Sequence, residues 1–359
     1  MAKTGDQINP ALIAALVGKE LDAAPERATI AMLPGRYVAK VWANRDRVER
    51  LTPKNPHVLR CLSCGQRGRY DLSTLVFDAE GYGDREKSAG GKSGAFEDFL
   101  QILGYFRCKR CNSAGQWELP KDLEWLIMAD GAGNALHPPS DPFEQRVIWG
   151  VAAMMDGFLP RFATDGEEHY LQMFARNGED AFLWDRLGNL YMKGGRPELA
   201  AAAFEQSIQL DPQQVESHAS LGQMLFDVDE WEDAARHHHL ALLHARNYHR
   251  MDTEKLRMLL AESLRELSIM HLESERKIPL LPDWQQHAQA QGESLGEPGN
   301  KSKTLMIRGF DLNPSDQKSY LPLADIYLGH TEEGPFTGVD IAGTDNRRVH
   351  RYGKKKRRR

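Results

Sequence analysis

The sequence predicts an α+β multidomain chain, a small β-rich module followed by a superhelix of paired α-helices. Three observations carry that expectation. All four cysteines fall into two Cys-x2-Cys pairs, Cys61/Cys64 and Cys108/Cys111, set among β-prone side chains. A pattern of large and small apolar residues repeats at a 34-residue offset from about residue 181. The 359 residues exceed the roughly 100–200 of one domain, so two or three units are expected.

Residues 1–57 read as a small α+β segment. Asn9-Pro10 opens a helix in which Leu12, Ile13, Leu16, Val17 and Leu21 recur at helical spacing. The run ALIAALV is short and has no basic leader, so it reads as this helix rather than a secretion signal. ATIAML and RYVAKVW, on either side of Pro34-Gly35, read as two short strands about a turn. Residues 58–122 form the β-rich module. Its strand-like pieces VLRC, RYDLSTLVF and GYFRC surround the cysteine pairs, and the Gly- and charge-rich stretch 81–97 is expected to be a flexible loop.

Each Cys-x2-Cys pair can form a tight knuckle that aims two thiolates at one point. Four sulfurs at about 2.3 Å close a tetrahedral shell and leave no position for water, so the expected metal is structural and not catalytic. Gly65 directly after Cys64, and Asn112 to Gly115 after Cys111, give the backbone room to curl. Free thiols or a disulfide pair are the alternatives. Over about 58–119 the arrangement resembles a zinc ribbon, which implies a structural Zn2+ on Cys61, Cys64, Cys108 and Cys111. It departs from the compact pattern in one respect: 43 residues separate the pairs, against roughly 15–20.

Residues 141–275 read as a helical domain. Asp141 as N-cap, Pro142 at the first position and Glu144 at the third form a capping box that predicts a helix over 142–160. Further helices are expected at 167–176 and 252–272. Between them, Trp184, Leu187, Gly188, Tyr191, Ala200, Phe204 and Pro212 occupy the W-x2-L-G-x2-Y, A-x3-F and P positions, so the stretch resembles a tetratricopeptide (TPR) repeat. A second copy keeps Leu221, Gly222, Leu225 and Ala234 but has His218, His238 and Arg246 at the Trp, Phe and Pro positions. A plain helical bundle with chance matches is the alternative. The resemblance implies a concave surface for a protein or peptide segment, with Asp185, Asn189, Met192, Ala219, Gln223 and Phe226 facing it. An acidic, amide-bearing groove of this kind would suit a neutral or basic segment. His237, His238 and His239 are consecutive, so they cannot converge on one ion. Only His237 and His244 align, and no metal site is expected there.

Residues 276–359 read as a linker, the apolar patch YLPLADIYLG and a basic disordered tail. Residues 347–359 carry nine Lys and Arg, leaving about −14 of the net −5 for the other 346 residues. Lys354, Lys355, Lys356, Arg357, Arg358 and Arg359 are candidates for contact with nucleic acid. No nucleotide-binding glycine loop, HExxH or nucleophile elbow is found, so no enzyme is expected. No apolar run approaches membrane-spanning length, and paired cysteines suit a reducing compartment, cytoplasmic or, in a eukaryote, nuclear. The sequence therefore predicts an intracellular adaptor that binds a protein through its repeat. The alternative is a nucleic-acid-binding regulator using the cysteine module and tail.

Overall fold

The computed structural model describes residues 7–20, 23–87, 95–136, 145–283, 286 and 311–329. The chain divides into two compact units, Met1–Glu230 and Trp231–Arg359.

In the first unit, α1 (Pro10–Leu16) starts where Asn9 Oδ1 accepts the Ala11 N–H, and it buries Leu12, Ile13 and Leu16. The two strands expected at 28–42 are not formed. Residues Ile30–Met32 make a 3-10 turn and Val38–Ala43 make α2. The cause is tertiary: the Glu205 carboxylate accepts the backbone N–H groups of Arg36 and Tyr37, capping α2 from outside, while Val38 and Val41 are buried. Gly35 makes the turn at φ +130°, with its α-carbon so close to Glu205 that a Cβ would fall 2.7 Å from the carboxylate.

Two three-stranded sheets follow. β1 (Pro56–Cys61) pairs antiparallel with β2 (Arg67–Asp71) and with β5 (Trp117–Glu118) in the order β2-β1-β5. β3 (Leu75–Phe77) lies antiparallel to β4 (Leu100–Ile102) and parallel to β6 (Val147–Trp149). The expected strand RYDLSTLVF is thus two strands, broken where Ser73 takes φ +56°. GYFRC runs without a ladder partner, its Tyr105 N–H donating to the Gly194 carbonyl. One core joins both sheets, including Leu59, Cys61, Tyr70, Phe77, Ile102, Phe106, Cys108 and Trp117.

Two further expectations fail here. The stretch 81–97 is not simply a loop: α3 (Ala79–Lys87) opens it, with Asp78 Oδ1 accepting the Gly81 N–H, and Phe96–Phe99 forms a 3-10 turn. The helix expected over 142–160 is replaced by β6 and an irregular segment. The capping box at 141–144 lies outside the described residues, and Val147 is buried where β6 completes the edge of β3. β-Branched Val147 and Ile148 before Trp149 suit that edge better than a helix. An unanticipated helix, α4 (Leu123–Leu136), buries Leu123 and Ile127.

The unit ends in four helices, α5 (Ala163–Asn177), α6 (Ala181–Lys193), α7 (Pro197–Leu210) and α8 (Val215–Asp227). The second unit holds α9 (Trp231–His244), α10 (Thr253–Glu273) and α11 (Leu321–Leu328). There α11, which contains most of the apolar patch YLPLADIYLG, docks on α10: Arg257 grips Asp325 through two bonds of 2.7 and 2.8 Å. The Tyr320 hydroxyl meets Ser268. The basic tail lies outside the described residues. Among those residues, no helix is long and apolar enough to cross a membrane.

Candidate metal centre and helical repeat

The two knuckles are built alike. Cys61 N–H donates to the Gln66 carbonyl and Gly65 N–H to the Cys61 carbonyl; in the second, Cys108 N–H donates to Ser113 and Asn112 N–H to Cys108. The residue four after the first cysteine must therefore be left-handed. Gly65 takes φ +73° and Asn112 φ +58°, and glycine and asparagine are the residues that tolerate this region best. Ser63 Oγ and Ser113 Oγ, 2.8 Å apart, join one knuckle to the other.

All four sulfurs lie within 4.8 Å of one another. Cys61 and Cys111 are 3.8 Å apart and Cys64 and Cys108 3.6 Å. A disulfide requires about 2.05 Å, whereas a tetrahedron of metal–sulfur bonds of about 2.3 Å has edges of about 3.8 Å. The spacing fits four ligands around one cation. The thiols are also electrostatically unequal. Burial acts to raise Cys108, but the backbone N–H groups of Cys111 and Arg110 outweigh it and bring that thiol down to about 7. Desolvation, then the neighbouring thiols, push Cys111 up to about 12. Four such groups cannot all ionise side by side unless a cation sits among them.

The second knuckle is tied to the helices by a buried carboxylate. Glu167 on α5 is fully buried and accepts four bonds: from Tyr105 at 2.9 Å and Tyr191 at 2.7 Å on Oε1, and from Arg107 and Asn9 at 2.9 Å each on Oε2. Arg107 adjoins Cys108 and also donates to the Asn112 carbonyl, and Asn112 Nδ2 donates to Ile8 O. Sequence reasoning missed this hub. Arg107 and Glu167 are 60 residues apart, and no spacing rule links them.

In the repeat, Gly188 faces Phe204: a Cβ there would come within 2.4 Å of the ring. Ala200, Phe204 and Leu187 are fully buried, and Trp184 stacks on Phe174 at 4.0 Å. Of the six positions expected to face a groove, Asp185 and Ala219 are buried instead. Asp185 accepts from Ser217 at 2.8 Å and from Asn189 at 3.0 Å, beside Arg186. Burial first, then the Glu216 charge, raise it to about 7. Its carboxylate is held inside the helix seam, so Asp185 does not supply the acidic character expected of a groove for a neutral or basic segment. Asn189, Met192, Gln223 and Phe226 remain partly exposed. Asn189 also lines a cleft of about 290 Å³ with Ile102, Met154, Phe162, Tyr170 and Arg186.

His237, His238 and His239 are buried in the second unit. His238 faces Glu266 at 2.8 Å and His239 lies 3.1 Å from the Pro279 carbonyl. Among the described residues, the four cysteines are the group arranged to hold a metal.

The tetratricopeptide repeat family model matches residues 181–214, the α6–α7 pair and the turn that follows. No curated protein and no solved structure matches the chain. The chain thus combines a tetratricopeptide-like helical pair, an element that generally mediates protein–protein interaction, with a four-cysteine cluster able to hold a metal ion.

Proposed function

We propose that this protein is an intracellular, non-enzymatic adaptor. Its tetratricopeptide-like helices capture a segment of a partner protein, and a zinc-ribbon-like module carries a structural Zn2+ on Cys61, Cys64, Cys108 and Cys111. The observation that supports the adaptor reading most is the α6–α7 pair, where the family match coincides with a Gly188–Phe204 contact that leaves no room for another side chain. Zinc is supported by donor chemistry, since four thiolates in a small tetrahedral set favour it over hard cations. The partner surface is the exposed part of α6 and α8, at Asn189, Met192, Gln223 and Phe226. With Asp185 satisfied internally, apolar and amide contacts carry recognition there rather than charge.

A photo-crosslinking residue placed at Met192 or Phe226, in the native host, tests this reading. A discrete crosslinked partner from these positions, absent when the same group replaces exposed Glu179, is the expected result. Equal crosslinking from all three positions would remove the groove.

A further inference from the structure

We propose that the cleft between α5, α6 and the irregular segment after β6 binds a small monocarboxylic acid with an apolar chain. This function is separate from partner capture, since Met192 and Phe226 do not line the cleft. Most of its walls come from outside the matched repeat. Ile102 ends β4, Phe162 and Ala163 lie at the start of α5, and Met154 and Pro160 belong to the irregular segment. That segment is a strap with fixed ends. The Gln101 side chain accepts the Ala152 N–H at 2.7 Å and donates to the Ala152 and Pro160 carbonyls at 2.8 and 2.9 Å. Between those ends, Asp156 meets His169 on α5 at 2.5 Å, and Phe158 stacks on the same imidazole with ring centroids 4.3 Å apart. Met154 and Pro160 lie over Gly166, where a Cβ would fall 3.5 and 3.7 Å from them and 2.7 Å from Leu190. Held in this way, the strap leaves a volume of about 290 Å³ open beside it.

The polar residues of the lining are Tyr170, Arg186, Asn189 and Lys193, and among the described residues no carboxylate belongs to it. Tyr170 is only 6% exposed, yet its hydroxyl makes no hydrogen bond among the described residues. A hydroxyl withdrawn from water without a partner is unfavourable, so the position calls for an acceptor. Burial pushes this phenol up to about 12, so it keeps its proton and can donate. Arg186 meets Glu216 through Nη2 and lies 3.3 Å from Asp185 through Nε, which leaves Nη1 without a protein acceptor. Desolvation, then the Arg186 charge, lower Lys193 below the usual lysine range. An anion beside both cations relieves that repulsion. Neither nearby acid supplies one: Asp156 is turned to His169, and Asp185 accepts from Ser217 and Asn189. Unmet donors at one end and Ile102, Met154, Phe162 and Leu190 around the rest describe a carboxylate head with an aliphatic chain. Met154 is unbranched and adapts to such a chain. The volume equals about ten waters at roughly 30 Å³ each, so a ligand of about ten heavy atoms fills it.

Isothermal titration of the full-length chain with octanoate tests this, with octanol as the uncharged analogue and acetate as the head alone. Saturable binding of one octanoate per chain is expected, with octanol at least about tenfold weaker and acetate weaker still. Tyr170→Phe removes only the hydroxyl and should weaken octanoate about tenfold while the melting temperature stays at the parent value. Lys193→Gln should weaken octanoate about threefold and flatten its dependence on salt, and Lys193→Arg should restore both. Ala163→Leu, which places a larger side chain in the cleft, should abolish binding of octanoate and octanol alike. Should Tyr170→Phe fail to fold, the Lys193 pair at the polar end carries the same comparison. Absence of saturable octanoate binding, octanol bound as tightly as octanoate, or octanoate binding indifferent to both Tyr170→Phe and Lys193→Gln would overturn the proposal. So would tighter binding of a leucine-ended peptide with a free C-terminus, which would give the cleft to a protein chain end instead.

Discussion

The cysteine module and the α6–α7 pair sit in one compact unit yet are held together by opposite means. The module rests on two β-ladders, a ring of Tyr70, Phe106 and Trp117, and four sulfurs whose arrangement calls for one cation. The helical pair rests on a seam of many small contacts, in which Gly188 and Ala200 admit Phe204 and Leu187. With the proposed ion in place, stability in the first is concentrated in a single ligand; in the second it is distributed. Glu167 is where the two meet, since its carboxylate holds Arg107 beside Cys108 and Tyr191 on α6.

Removing the metal should have the largest effect. Structural zinc in small domains contributes on the order of 10–16 kcal/mol of apparent binding energy. Chelation, or Cys108→Ser, should therefore abolish metal content and open residues 58–119 to protease, while the protease-resistant core of α6–α8 survives longer. Simultaneous cleavage of both regions would show that the contrast is false. Phe204→Ala should cost about 3–5 kcal/mol, read as a drop in the melting of unit one with one metal per chain retained. Glu167→Gln attacks the junction. It keeps the shape but leaves Arg107 with a buried charge and no anion, and should cost about 3 kcal/mol or more. The sharper readout is faster metal loss to a chelator, which a purely helical role for Glu167 would not produce.

Acidity should separate the α6–α8 seam from the second unit in opposite directions. Burial pushes His239 from 6.5 down to about 4. Between those values the unfolded chain binds a proton that the folded chain refuses, so the stability of α9–α10 falls as pH drops through that window, by up to about 3 kcal/mol. Asp185 is raised from 3.8 to about 7. There the folded chain holds a proton that the unfolded chain has released, so the α6–α8 seam loses stability as pH rises from about 4 to 7. Hydrogen exchange at pH 5 and pH 8 should show the two regions moving oppositely, with His239→Gln and Asp185→Asn each flattening its own dependence.

What the sequence revealed follows the range over which the physics acts. The cysteine ligands are legible because a Cys-x2-Cys knuckle closes within six residues, and Trp184, Gly188 and Phe204 because a helix seam fixes their spacing. What was missed depends on partners far along the chain. Residues 38–43 become helical because Glu205, 169 positions from Arg36, accepts the N–H groups of Arg36 and Tyr37 ahead of them. Residues 147–149 become a strand because Leu75–Phe77 offers an edge. Asp185 looked like a groove residue because its helical position is right, but Ser217 and Asn189 draw it inward. No single-sequence pattern carries those pairings.

The central claim is that Cys61, Cys64, Cys108 and Cys111 surround one ion. X-ray absorption at the zinc edge, on full-length protein purified under reducing conditions, tests it most directly. The account predicts one zinc per chain with four sulfur neighbours at about 2.3 Å. A preparation that folds without stoichiometric metal, or a shell in which nitrogen or oxygen replaces any of the four sulfurs, would contradict it.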